Sequence, residues 1–154
     1  MIQSHIHIEK KRVFFAFLIP VMVWAITLAF AQIGLGFDKS LAFSDANAQY
    51  LVFHAELREI LLNQDWDQFL YNWNLGLGGS FIGVFAYYLS SPFALFSLFF
   101  EPEQLSTYFY FAILLKVGLC GVTAYLFLSH QTNATPNKSL LFAGLYPFIG
   151  TLTK

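Results

Sequence analysis

Residues 43–92 read FSDANAQYLVFHAELREILLNQDWDQFLYNWNLGLGGSFIGVFAYYLSSP and hold most of the acidic residues of the chain. An apolar run lies on each side of this stretch, Val13–Phe37 before it and Leu105–Ser129 after it. Each run has 25 residues, and roughly 20 apolar residues are enough for a helix to cross a bilayer. The pattern predicts an all-α, polytopic membrane protein whose first two transmembrane helices are joined by a long loop.

The composition supports a membrane protein. Hydrophobic residues make up 57% of the chain and charged residues only 11%, whereas soluble domains average roughly 25% charged residues. Lipid accepts apolar side chains on every face of a helix, so such a composition is typical of membrane spans. The chain has no basic block of the kind that nucleic-acid binding requires. The single cysteine, Cys120, lies in an apolar run and is interpreted as a small packing residue.

Charge around the first run predicts the topology. Lys10, Lys11 and Arg12 precede it, and the positive-inside rule then places residues 1–12 in the cytoplasm. Residues 13–37 become the first transmembrane helix, and residues 38–104 an extracytoplasmic loop. That loop has two basic residues, Lys39 and Arg58, against eight acidic ones.

The remainder of the chain continues the same topology. Residues 105–129 form the second transmembrane helix and residues 130–138 a short cytoplasmic loop. Residues 139–154 are expected to begin a third transmembrane helix. This last segment is shorter than a full span, so we expect the chain to be the N-terminal part of a larger protein.

Within the loop, residues 46–62 have helical periodicity. Tyr50, His54, Leu57 and Leu61 fall on one face, and Ser44 or Asp45 is suited to cap the helix N-terminus. Such an amphipathic helix is expected to lie along the membrane surface. His54, on the apolar face, is interpreted as a packed neutral histidine.

Residues 81–100 are apolar but are interrupted by the sequence Ser90-Ser91-Pro92. They form either a spanning helix or a re-entrant or interfacial segment. If residues 130–138 are cytoplasmic, the helix 105–129 runs from outside to inside, and residues 81–100 then do not cross. The re-entrant or interfacial interpretation is therefore favoured.

Two charged residues are candidates for chemistry. Asp45 follows the first span and would be ionised near lipid headgroups, where it could act as a general base or bind a divalent cation. Its alternative role is to cap the following helix. Lys116 lies midway along the second span, where an ionisable group is costly and usually faces a partner or a polar cavity. It could bind the phosphate of a lipid-linked ligand or form an ion pair.

Several sequence motifs occur together in this chain. They are Phe43-Ser44-Asp45, Gln49-Tyr50, the helix Glu56–Leu62, Trp73-Asn74-Leu75-Gly76-Leu77-Gly78-Gly79, Ala86-Tyr87-Tyr88-Leu89-Ser90-Ser91-Pro92-Phe93, Leu114–Gly121 and Tyr125–Leu128. The most specific is the pairing of a GLGG sequence with a following YYLSSPF sequence. Together the motifs resemble the start of the YfhO family of bacterial membrane proteins, over roughly residues 13–150.

The resemblance implies a glycosyltransferase-C-like architecture and function. Such proteins pass a sugar from a polyprenyl-phosphate donor to an acceptor outside the cytoplasm, and this family is linked to lipoteichoic acid and related envelope polymers. Asp45 matches the loop acid and would be the catalytic base or a metal-linked carboxylate of an inverting glycosyltransferase. Ala46 follows it, so the paired acid that would indicate a metal ion is missing. The candidate substrate-binding residues are Lys116, Trp73, Asn74, Gly78, Gly79, Tyr87 and Tyr88.

Two other classes of function fit the same sequence. A transporter or flippase for a lipid-linked envelope precursor would use a lipid-facing groove without making bonds. A non-catalytic envelope scaffold would be indifferent to the charge at Asp45. In all three cases membrane lipid is a predicted partner.

Overall fold

The computed structural model describes residues 9–34, 37, 39, 41, 49–132 and 135–151. These residues divide between two compact units. Unit 1 comprises the described parts of Met1–Gln32 and Ile113–Lys154, and unit 2 those of Ile33–Ala112. The described chain is helical apart from turns and two isolated bridges, so the predicted all-α class is confirmed.

Six α-helices are described: α1 Lys10–Phe30, α2 Leu51–Asn63, α3 Trp66–Leu70, α4 Phe81–Val84, α5 Leu105–Gln131 and α6 Pro136–Leu145. The other helical elements are a π-helical turn at Phe85–Leu89 and 3₁₀ turns at Pro92–Phe99, Pro102–Gln104 and Tyr146–Thr151. Within the described residues, α1 and the continuous segment Pro102–Gln131 are each long and apolar enough to cross a membrane. The chain is therefore a membrane protein.

The first membrane helix is shifted toward the N-terminus relative to the apolar run that predicts it. It includes Lys10–Arg12, and Arg12 Nε donates to Glu9 Oε2 at 3.0 Å. It ends at Phe30, because Gln32 (φ 57°) and Gly34 (φ 119°) adopt positive φ, which a right-handed helix cannot continue. Pro20 is accommodated inside the helix, as is common in membrane spans.

Small residues hold unit 1 together. Ala16 of α1, Ala124 of α5 and Ala143 of α6 are buried in one cluster. Two glycines of α5 face α1 so closely that an added methyl group would collide with it: at Gly121 with the carbonyl oxygen of Ala16, and at Gly118 with the ring of Phe17. Small residues of this kind let membrane helices approach closely, so that dispersion contacts hold them.

Gly121→Ala should therefore destabilise the protein, although alanine usually strengthens a helix by roughly 0.5–1 kcal/mol relative to glycine. The methyl group would meet backbone that has no room to rotate away, and overpacking of this kind costs about 1–3 kcal/mol. Gly83→Ala is the matched control, because a methyl group there meets nothing within 4 Å. Thermal unfolding in detergent should show a lower Tm for Gly121→Ala only. An equal Tm for both variants would contradict the close packing.

In unit 2, one face of α2 packs against the segment that follows the glycines. Leu57 and Ile60 of α2 are buried with Phe81, Leu89 and Ala94 in a single cluster. The helix ends at Asn63, because Gln64 is left-handed (φ 55°). The predicted helix over 46–62 lies partly outside the described residues, which resume at residue 49. The described helix starts at Leu51 and runs one residue further than predicted.

Residues 81–99 form two helical limbs, Phe81–Leu89 and Pro92–Phe99, and the helix direction bends by 104° between them. The bend falls at Ser90 and Ser91, because Pro92 lacks an N–H group and forces the residue before it out of the helical region. Ser91 is accordingly extended (φ −73°, ψ 134°). Phe81 and Leu89 from the first limb and Ala94 from the second pack on α2. A bend of this size fits a broken membrane span as well as a re-entrant segment, so the re-entrant or interfacial interpretation stays a prediction.

Candidate functional site

The glycine-rich stretch of unit 2 is a closed turn, here named the glycine loop (residues 71–79). Asn72 and Gly79 exchange two backbone hydrogen bonds, of 2.8 and 3.0 Å, and Gly78 N–H donates to Leu75 O at 3.0 Å. Gly76 and Gly78 have φ values of 63° and 94°, a region that glycine enters without steric cost. The backbone N–H groups of Gly78 and Gly79 are thus used inside the loop.

The glycine loop is tied to α2 through Glu56. Asn72 is fully buried, and its Nδ2 donates to Glu56 Oε2 at 2.8 Å. Its Oδ1 accepts the backbone N–H of Asn74 at 2.7 Å, and Asn74 Nδ2 reaches the same glutamate oxygen at 3.3 Å. A buried amide is stable only when its polar atoms are paired. Glu56 therefore fixes the position of the loop against the helix.

Two aromatic side chains of the glycine loop, Tyr71 and Trp73, are exposed, whereas Asn72 between them is buried. Successive residues of an extended segment alternate in direction, so Tyr71 and Trp73 flank the buried Asn72. Their ring centroids are 5.0 Å apart, and Trp73 is 75% exposed. Gly78 packs against Tyr71, and a methyl group added at Gly78 would collide with the Tyr71 hydroxyl. The loop thus presents an exposed aromatic surface formed by Tyr71 and Trp73.

A second aromatic group, here named the tyrosine cluster (Tyr50, Tyr87 and Tyr88), lies where α2 begins. The ring of Tyr88 contacts those of Tyr50 and Phe53 at centroid distances of 5.3 and 5.1 Å. Tyr87 stacks edge-on against Tyr88 at 4.6 Å and is 80% exposed. Tyr50 follows Asp45 by five positions in the chain. The cluster offers an open aromatic face.

The other predicted site residues are placed differently. Asp45 lies in residues 42–48, outside the described part of the chain. Lys116 lies near the middle of α5, in the part that belongs to unit 1, and its side chain is exposed. Trp73, Asn74, Gly78 and Gly79 are brought together in the glycine loop. Tyr87 and Tyr88 belong to the tyrosine cluster of the same unit.

His54 is engaged by the fold, as its apolar position predicts. It is buried, its Nδ1 lies 2.8 Å from the carbonyl oxygen of Tyr50, and its Nε2 lies 3.3 Å from the hydroxyl of Tyr108. A carbonyl oxygen only accepts, so Nδ1 carries a proton. Among the residues that the structure describes, no group of three histidine, cysteine or acidic side chains could hold a metal ion.

Residues 16–154 match the family model described as "Bacterial membrane protein YfhO". The chain belongs to the YfhO family. No curated protein and no solved structure matches it significantly. The match covers α1 from residue 16 onward, the whole of α5, the glycine loop and the tyrosine cluster. The family resemblance read from the motifs is thereby confirmed.

The role of Glu56 was missed by sequence reasoning. It lies off the apolar stripe of α2, a position typical of a solvated charge, and its asparagine partners are 16 and 18 residues further along the chain. The one available signal was the pair of asparagines that brackets an aromatic residue just before the glycines.

Asn72→Ala should destabilise this YfhO-family protein more than Asn74→Ala. The first variant removes a short hydrogen bond to a carboxylate and a second one to a backbone N–H, together worth about 2–4 kcal/mol. The second removes only an exposed bond of 3.3 Å, which should matter much less. Thermal unfolding of both variants in detergent measures the difference. Equal Tm values for the two would show that the Glu56–Asn72 contact does not hold the loop.

Proposed function

We propose that this YfhO-family protein takes part in glycosyl transfer at the outer face of the bacterial cytoplasmic membrane. The sugar comes from a polyprenyl-phosphate donor and passes to an envelope polymer such as lipoteichoic acid. The observation that carries this proposal is the tyrosine cluster, an open aromatic face at the start of α2, five residues along the chain from the candidate base Asp45.

The proposed topology puts this chemistry outside the cell. Lys10, Lys11 and Arg12 form the N-terminal end of the first membrane helix, and in the proposal they keep that end in the cytoplasm by the positive-inside rule. Residues 38–104 are then extracytoplasmic, between the two candidate spans. Their excess of acidic residues is compatible with that side.

Aromatic side chains suit the binding of sugars. The face of a tyrosine or tryptophan ring carries partial negative charge, and the axial C–H groups of a pyranose are weakly positive. In the proposal, Tyr87 and Tyr88 bind the transferred sugar. Trp73 and Asn74 contact the acceptor, and Gly79 lets it approach the backbone of the loop closely, whereas Gly78 is covered by Tyr71.

Asp45 acts as the general base in this proposal. It accepts the proton of an acceptor hydroxyl as that oxygen attacks the anomeric carbon of the donor sugar. The bond from that carbon to the phosphate oxygen breaks, the configuration inverts, and polyprenyl phosphate leaves. Lys116, which belongs to unit 1, stays a candidate residue for binding the phosphate of a lipid-linked ligand. Ala46 follows Asp45, and no second acid is adjacent in the chain. In the proposal Asp45 therefore accepts a proton and is not a metal ligand.

One observation favours a second candidate function, a flippase for a lipid-linked precursor. The limbs Phe81–Leu89 and Pro92–Phe99 form a broken helix pair, and broken helices are common at the substrate sites of transporters. A flippase would move the lipid-linked sugar without forming a bond, so the charge at Asp45 would not be needed for proton transfer.

Asp45→Asn in the full-length gene, expressed at wild-type level in its own host, separates these candidates. Loss of a general base lowers rates by about 10²–10⁴, so sugar on lipoteichoic acid should fall to the level of a deletion strain. Asp67→Asn, an exposed acid of the same segment, is the control and should keep the sugar. Retained sugar in Asp45→Asn, with loss in the deletion strain, would refute transfer at Asp45 and favour the flippase.

Substitutions at Tyr87 test the sugar site. Tyr87→Ala removes a stacking face worth about 0.5–1.5 kcal/mol, so the KM for the lipid-linked donor should rise about 2- to 10-fold in membranes that contain the full-length protein. Tyr87→Phe keeps the ring and should leave KM unchanged. If both variants behave like wild type, the tyrosine cluster does not bind the sugar.

A further inference from the structure

Arg58 of α2 carries a polar atom that the fold leaves unsatisfied. Its side chain is half-buried, and its Nε is fully buried without a hydrogen-bond partner among the described residues. No ion pair to Arg58 occurs among the residues that the structure describes; the ion pair seen there joins Arg12 and Glu9. A buried donor without an acceptor costs about 1–3 kcal/mol, and more when the group is charged. The fold therefore keeps a guanidinium at a cost.

The surroundings of Arg58 on α2 are largely apolar. At helical spacing it follows His54 by four residues and Ala55 by three, so the three side chains share one side of α2. His54 packs on Tyr108, and Ala55 packs against the cluster of Leu105, Tyr108 and Ala112. Arg58 thus lies next to the seam between α2 and the first turns of α5, where low polarity strengthens any charge interaction.

Unit 2 has acids, but none of those described is paired with Arg58. Glu56 is two positions away on α2, which places it on the opposite side of the helix, and its carboxylate is bonded to Asn72 and Asn74. The other described acids of the unit are Glu59, Asp65, Asp67, Glu101 and Glu103. Because none of these described acids pairs with it, the Arg58 guanidinium can bind an anion that is not part of the protein.

We propose that Arg58 binds the phosphate group of a membrane lipid. A guanidinium presents a planar fork of N–H donors that matches phosphate, and Arg is weakly hydrated enough to act in a partly buried setting. The seam beside Arg58 is formed by the first turns of α5, which continues as a candidate membrane span. The anions expected close to Arg58 are therefore lipid phosphates, either of a phospholipid headgroup or of an isoprenoid phosphate. This proposal does not depend on sugar transfer at Asp45.

Binding of farnesyl phosphate to the purified full-length protein in detergent tests this site, with farnesol as the uncharged probe. Arg58→Gln should weaken farnesyl phosphate binding at least about 10-fold, since a charge-assisted hydrogen bond is worth about 1.5–3 kcal/mol. Farnesol binding should not change. Lys39→Gln removes the other basic residue of the same segment, which is exposed, and should leave both affinities at the wild-type value. Unchanged affinity in Arg58→Gln, or an equal loss for farnesol, overturns the proposal.

The source of the phosphate is read from competition by dihexanoyl-phosphatidylglycerol. A site for an isoprenoid phosphate keeps farnesyl phosphate when this short phospholipid is added in excess, whereas a headgroup site releases it. In both cases the binding of farnesyl phosphate measured before competition should be weakened in Arg58→Gln.

A stability measurement excludes a merely structural role. Arg58→Met keeps the length of the side chain and removes the unsatisfied donor, so the Tm of the ligand-free protein should stay the same or rise. Binding of farnesyl phosphate should still be lost. A clear drop in Tm would mean that the fold itself satisfies the guanidinium, and the proposal would be wrong.

Discussion

The burial of one face of α2 is the interaction on which unit 2 depends. Leu57 and Ile60 are covered by residues from both limbs of the bent segment, Phe81 and Leu89 from the first and Ala94 from the second. Full burial of side chains of this size is worth about 1.5–3 kcal/mol each. Because both limbs must reach the same helix, the chain has to turn sharply between them, and Pro92 allows it to do so.

With α2 held in this way, its remaining sides are free to carry polar groups. Glu56 faces the glycine loop and is satisfied by two asparagine amides. Arg58 faces the seam beside α5, and its buried Nε has no partner among the residues that the structure describes. The tyrosine cluster is assembled at the start of the helix. One short helix therefore organises the loop, the aromatic face and the unpaired cation.

Unit 1 depends on a different constraint. Hydrophobic side chains gain little by leaving lipid for a protein interior, so membrane helices associate through close packing. Gly118 and Gly121 of α5 provide that approach against Phe17 and Ala16 of α1. The two units thus use different physics: apolar burial around α2, and small-residue contact between the membrane helices.

The sequence by itself determined the class of this protein and its family. Apolar runs of 25 residues predict helices in lipid, because a helix satisfies each backbone polar group within its own segment, and that property is local enough to be read from composition. The buried setting of His54 followed from its place on an apolar stripe. The motifs around Gly78 and Tyr87 sufficed for the family, which the match over residues 16–154 confirms. Only the tertiary structure decided where α1 ends, how sharply residues 81–99 bend, that Glu56 holds Asn72, and that Arg58 Nε has no partner in the described part of the chain. Each of these depends on which residues meet across the fold, and chain spacing does not specify such meetings.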